Sequence, residues 1–162
     1  ALGAVAMTAL KGGAKLLAKL GEVQRKMATG SVLRVGFLEG AMHPSKSPNG
    51  EPVPVAQVAA WNEWGDPDNN RPPRPFFRTM VEEKKDGWGR SMANILKANG
   101  YDVNNALQLM GQGIKGQLQH SINEFTDPPL ADSTIKAKGF DKPLVDTGDM
   151  LRGVAYEITG VK

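Results

Sequence analysis

The sequence predicts an α+β fold: several helices, one of them long, packed on a small antiparallel sheet and joined by extended Pro/Gly-rich loops. Three observations predict it. Apolar residues recur every three or four positions in separate segments, the mark of helices with one buried face. Two short β-rich segments, 31–38 and 154–158, flank the longest helical stretches. Proline and glycine crowd the connections between these segments.

The elements follow in order. Leu16, Leu20, Val23 and Met27 share one helical face, and Lys15, Lys19, Glu22 and Lys26 fall largely off it. This is an amphipathic helix ending near Gly30. The apolar opening, ALGAVAMTAL, is followed rather than preceded by Lys11, Lys15 and Lys19. A signal peptide has the opposite polarity, so residues 1–30 read as an N-terminal arm and amphipathic helix. Ser31 to Leu38 reads as a strand with Val35 and Phe37 in alternation, and Gly36 marks a bulge or a close backbone approach. Residues 40–54 hold Gly40, Pro44, Pro48, Gly50, Pro52 and Pro54 and form an extended loop or hairpin. In the short helix 55–64, Val55, Val58, Ala59 and Asn62 lie on one side and Trp61 and Trp64 on the other, which predicts burial on two sides.

A second loop, 66–75, ends in RPPRP. Pro75 can open the next helix, because its missing N–H costs nothing in the first turn. Phe76 and Phe77 anchor that helix in the core. Gly87 and Gly89 predict a kink or break before it resumes to about Ala98 and stops at Gly100. Asn104 or Asn105 starts the longest helix, to about Phe125, with a stripe of Leu107, Met110, Ile114, Leu118, Ser121, Ile122 and Phe125. Pro128 and Pro129 end it. Ser133 is expected to cap a short helix, STIKAK, ended by Gly139. Asp146 or Thr147 is expected to cap another turn before a last strand, Val154 to Ile158. The 162 residues fit a single domain, 1–162.

Composition narrows the function. A net charge of +3 is too small to argue for nucleic-acid binding by itself. Without cysteine there is no disulfide, thiolate zinc site or cysteine nucleophile. No apolar run approaches the ~20 residues that span a bilayer, so no membrane role is expected. The two histidines, His43 and His120, fall in different elements without metal-ligand spacing, and no cofactor is expected.

Three motifs invite chemistry. Gly111, Gly113 and Gly116 spell G-x-G-x-x-G, but the preceding residues are helical in pattern, so the glycines sit mid-helix where their N–H groups are already bonded. Gly113 and Gly116 lie opposite the apolar stripe, beside Gln112, Gln119, His120 and Asn123, a face that either receives a neighbouring subunit at close approach or is simply a tolerated exposed surface. Asp146-Thr147-Gly148 matches the tripeptide of aspartic proteases, whose mechanism needs two such carboxylates, yet too little sheet follows it; a helix start is the simpler reading. Arg71-Pro72-Pro73-Arg74-Pro75 contains a P-x-x-P core or is a stiff lead into a helix. Trp61, Trp64, Arg71, Arg74, Gly113, Gly116 and His120 are the expected subunit or partner contacts.

Several segments together carry a resemblance. RVGFLEG, a Pro/Gly loop, VAQVAAWNEWG and RPPRPFFR, followed later by PLADSTIKAKG and KPLVDTGDMLRGVAYEI, resemble tail-completion and neck (head–tail joining) proteins of long-tailed bacteriophages. That group includes the minor tail protein Z type and related virion-morphogenesis proteins. The match spans most of 31–158, with Phe76, Phe77, Pro143, Asp146, Thr147 and Gly148 as structural motif residues. It implies a virion protein assembled in the host cytoplasm into a homo-oligomeric ring, commonly a hexamer. The ring's partners would be the head connector or adaptor and the tail terminator or tail tube, with DNA passing through the lumen without sequence-specific binding. It implies no catalysis. DPDNN (66–70) is more acidic and polar than the family pattern, and only four residues follow the last expected strand, which leaves the N-terminal segment as the candidate docking arm.

Two other classes compete. A DNA-binding accessory protein of phage morphogenesis would use Arg71, Arg74, Arg78, Lys84, Lys85 and Arg90, among which Glu82, Glu83 and Asp86 are interspersed. An enzyme would rest on Asp146, with no independent support.

Overall fold

Strand pairing joins the two halves of the chain. The computed structural model describes residues 13–28, 30–44 and 50–160. The expected extension of the first helix into the opening apolar residues therefore lies outside the described part. In chain order the elements are α1 (Gly13–Met27), β1 (Ser31–Phe37), β2 (Met42–His43), β3 (Val53–Pro54), α2 (Val55–Trp64), a 3-10 turn (Pro67–Asn69), α3 (Phe76–Ala98), α4 (Val103–Glu124), α5 (Asp132–Lys138), α6 (Asp149–Gly153) and β4 (Val154–Gly160). The fold is α+β, with helices packed on a small antiparallel sheet.

β1 and β4 pair antiparallel, from Ser31 opposite Gly160 to Phe37 opposite Val154. Gly36 pairs with Ala155 in unbroken register, so it makes no bulge. Nor does a close approach require it: a Cβ there would lie 3.8 Å from the Phe77 ring, an ordinary contact. β2 and β3 form a second two-stranded ladder, Met42 opposite Pro54 and His43 opposite Val53.

α3 and α4 form a hairpin that packs on the sheet through α4. The turn is a Schellman motif: Tyr101 N–H donates to the Leu96 carbonyl at 2.8 Å and Gly100 N–H to that of Lys97 at 3.4 Å. α4 starts earlier than expected, because Asp102 rather than Asn104 or Asn105 is the cap. Its Oδ1 accepts from Asn105 N–H at 3.0 Å. The apolar stripe of α4 is the buried one, with Leu118 and Ile122 fully enclosed. They meet Val55, Ala59, Phe76, Met80, Leu144, Met150 and Val154 in one core. Phe76 is buried and Phe77 packs against its edge.

Four local expectations are corrected. α3 runs unbroken through Gly87 and Gly89. Each glycine costs ~1 kcal/mol but leaves the backbone hydrogen bond intact. Trp88 between them is pinned to α4, its Nε1 donating to Gln117 Oε1 at 2.9 Å. α5 begins at Asp132, with Ala131 rather than Ser133 at the cap position. Neither Asp146 nor Thr147 caps α6; Gly148 does, at φ +79°, a left-handed conformation that L side chains rarely adopt. Finally, α2 is not buried on two sides. Val55 and Ala59 are enclosed, but Trp64 is 65% exposed, its ring covered by the Arg78 guanidinium 4.0 Å above it.

α1 stands apart from this packing. None of its residues is buried, and Leu16, Leu17, Leu20 and Met27 are each at least half exposed. Lys26 Nζ donates to the Gly100 carbonyl at 3.3 Å, a tether to the α3–α4 turn. Along its own surface Glu22 pairs with Lys19 and Lys26, both at 3.0 Å.

Candidate functional site

The proline-rich strap before α3 is held in place by α2. Asp66 and Arg71 exchange backbone hydrogen bonds of 3.0 and 2.9 Å, closing the loop between them. Gly65, at φ +82°, admits the strap: a Cβ there would stand 3.0 Å from both the Arg71 carbonyl oxygen and the Pro73 nitrogen. Arg74 N–H then donates to the Asn62 carbonyl at 2.7 Å.

Glu63 secures the start of α3. No Ser, Thr, Asp or Asn stands there, and Pro75 occupies the cap position without a side-chain cap bond. The first N–H groups of the helix need acceptors from elsewhere. The Glu63 carboxylate supplies both oxygens, accepting from Phe77 N–H at 2.9 Å and from Arg78 N–H at 3.1 Å. Arg78 Nε adds a 2.7 Å bond. Glu63 is 6% exposed, a buried charge satisfied by a helix N-terminus and a guanidinium.

Beside the strap lies a cleft of about 980 Å³. Two motifs that are distant in sequence meet here. Arg71 and Arg74 come from the strap, Trp61 from α2, and Pro143, Asp146, Thr147 and Gly148 from the segment before α6. His43 and Val53 of the β2–β3 arm and Thr134 and Lys138 of α5 complete the walls. Arg71 lies over the Trp61 ring, 5.9 Å from its centre. The other expected contact residues lie elsewhere. Trp64 is on the outer side of α2, and Gly113, Gly116 and His120 are on the outer face of α4, where neither glycine has a neighbour within 4 Å of a Cβ position.

Arg74 is the unusual member of the cleft. It is 9% exposed, and its Nε is sealed from solvent without an acceptor. Burial with no compensating carboxylate pushes its guanidinium below the usual arginine value.

Asp149 closes one wall. His43 Nδ1 stands 2.9 Å from its Oδ2, which ties the β2–β3 arm to α6 across the chain. The Thr147 hydroxyl and the Arg152 guanidinium hold the same carboxylate. The Thr147 hydrogen bond, then Arg152 and His43, draw the Asp149 carboxyl below the usual aspartate value against the opposing effect of burial. A carboxyl depressed in the folded state stabilises the fold above its unfolded value, and that stability is lost as pH falls through the folded value. Asp149→Asn is therefore expected to melt lower than the parent protein at pH 6. The difference should shrink as melts are repeated at successively lower pH into the acid range. A gap that stays constant or widens on acidification would show that the Asp149 charge does not hold the arm.

The expected basic surface is dispersed in the fold. Arg78 is bound to Glu63, Lys84 lies 3.9 Å from Glu83, Lys85 lies 3.6 Å from Glu82, and Arg74 is buried. Among the described residues there is no cluster of His, Asp or Glu that could hold a metal ion, and no helix long and apolar enough to cross a membrane. The Asp-Thr-Gly tripeptide leads into the five-residue α6 and the last strand, and Asp146 is exposed. Glu63 escaped sequence reasoning, as did the contact of Asp149 with His43; Asp149 was expected only as the capping-box partner of Asp146. The signal for Glu63 was present: a helix opening on Pro-Phe-Phe with no cap of its own. Compared with known protein families, with curated proteins and with solved structures, the chain matches none of them.

Proposed function

We propose that this chain is a structural subunit of the neck, or tail-completion, ring of a long-tailed bacteriophage, built to bind other copies of itself and the head- and tail-side proteins around the DNA passage. The carrying observation is α1. Its 15 residues present Leu16, Leu17, Leu20 and Met27 to solvent. A helix of that length is marginal in water without tertiary packing, so an exposed apolar stripe argues for a surface that covers it. Burying a leucine side chain contributes ~1.5–3 kcal/mol, and several together are enough to hold such a helix against a partner. The order of the RVGFLEG, RPPRPFF and PLVDTG segments supports the choice of class, and the outer face of α4 at Gly113, Gly116 and His120 is a second place for a neighbouring copy.

The test is particle mass and symmetry. The purified protein, alone and with the neighbouring virion proteins, is expected to form a closed ring by native mass spectrometry and negative-stain microscopy. Leu16→Glu/Leu20→Glu is expected to keep the helical circular-dichroism spectrum of the folded body while remaining monomeric. The proposal fails if the parent protein stays monomeric under every condition, if the double variant assembles as the parent does, or if the protein is missing from mature particles.

A further inference from the structure

The cleft beside the strap contains a cation whose side chain has no hydrogen-bond partner among the described residues. Arg74 is nine-tenths buried, its Nε has no acceptor, and among the described residues no carboxylate, carbonyl or hydroxyl oxygen bonds its side chain. Buried charges in folded proteins are paired almost without exception, because leaving one unpaired carries a large desolvation penalty. The rest of the fold follows that rule: buried Glu63 has three donors, and Asp149 has His43, Thr147 and Arg152. Arg74 departs from it at the wall of a large open cleft.

We propose that Arg74 is a receptor for a carboxylate, delivered into this cleft by an acidic peptide segment of another polypeptide. The ligand class follows from the surroundings. A planar guanidinium matches the two coplanar oxygens of a carboxylate in a paired, two-bond contact. A phosphate would bring a second negative charge beside Asp146 and Asp149, which already line the cleft. About 980 Å³ is far more than one ion requires and suits a stretch of peptide. Trp61, Pro72 and Pro143 offer stiff apolar walls for the residues on either side of the acid. The site does not depend on α1 or on ring formation, so its test stands apart from that of the ring.

The experiment uses the intact chain labelled with nitrogen-15. Its probes are two blocked five-residue peptides, one with a central Glu and one with Gln in its place, together with inorganic phosphate and sodium chloride at equal ionic strength. The Arg74 Nε–Hε resonance is identified by its loss in Arg74→Lys. The Glu peptide is expected to move that resonance saturably and to bind at least tenfold more tightly than the Gln peptide. Chloride should leave it in place. Arg74→Met should bind neither peptide, yet melt at the same temperature as the parent or higher, because it removes a buried unpaired charge and keeps the volume. Equal binding of the two peptides would overturn the proposal. So would tighter binding of phosphate than of the Glu peptide, or a resonance that no probe moves. An Arg74→Met protein that melts several degrees lower, or fails to fold, would show that the guanidinium is already satisfied within the subunit, and would overturn it equally. The peptide and phosphate titrations on the parent protein decide the matter without that variant.

Discussion

Glu63→Ala is expected to unfold ~4–10 °C below the parent protein, a loss of about 2–3 kcal/mol in a domain of this size. The carboxylate is buried and accepts from Phe77 N–H, Arg78 N–H and Arg78 Nε. Its removal leaves the first turn of α3 without acceptors at the point where Phe76 enters the core. Breaking a fully buried ion pair costs more, about 3–5 kcal/mol. Here the Arg78 side chain is 48% exposed, and water can take up the freed guanidinium, so the lower figure applies. Arg78→Met should cost about 1 kcal/mol, because Glu63 keeps both backbone donors. Glu63→Gln should fall between the two, since an amide has one acceptor oxygen and turns its NH₂ toward a donor. Urea denaturation of the three variants checks the ordering. If Arg78→Met proved the most damaging, the carboxylate would be serving the guanidinium rather than the helix start.

The second large effect separates three glycines of one hexapeptide, GQGIKG. Gly111→Ala is expected to destabilise by about 1–3 kcal/mol, whereas Gly113→Ala and Gly116→Ala should each stabilise the isolated subunit by ~0.5–1 kcal/mol. All three lie inside α4, where alanine is the better helix former. Only Gly111 faces the sheet. A Cβ there would stand 2.5 Å from Tyr156 Cδ2 and 3.0 Å from Leu33 Cδ1, and the Tyr156 ring would have to shift. Gly113 and Gly116 have open space at the same position. Denaturant midpoints for the three variants should therefore change with opposite signs. A stabilised Gly111→Ala would mean that α4 does not cross the β1–β4 sheet at this contact.

These two sites mark where sequence legibility stops. That 111–116 is helix rather than a phosphate-binding loop was readable from the apolar stripe Leu107, Met110, Leu118 and Ile122, because periodicity is a property of one continuous segment. Which glycine is sterically required was not readable. That depends on Tyr156 and Leu33, brought to α4 by a strand pairing between distant parts of the chain. The same division holds at helix ends. Gly100 and Gly139 ended their helices as their chemistry dictates. The cap of α3 came from Glu63, in the preceding helix, and the cap of α6 from the backbone freedom of Gly148 rather than from the polar side chains beside it.

Amino-acid order alone specifies the α+β class, the helices, the buried stripe of α4, strands within 31–38 and 154–158, and the turn chemistry that separates them. Each of these is written in residues that lie next to one another along the chain, so local sterics and amphipathic spacing are sufficient to specify them. Long-range packing brings RPPRP and PLVDTG to one cleft, makes Glu63 and Asp149 the anchors of its neighbourhood, and leaves the Arg74 side chain buried there without a hydrogen-bond partner among the described residues. Burial and charge pairing depend on which distant residues are brought together, and that is a property of the packed chain rather than of any segment within it.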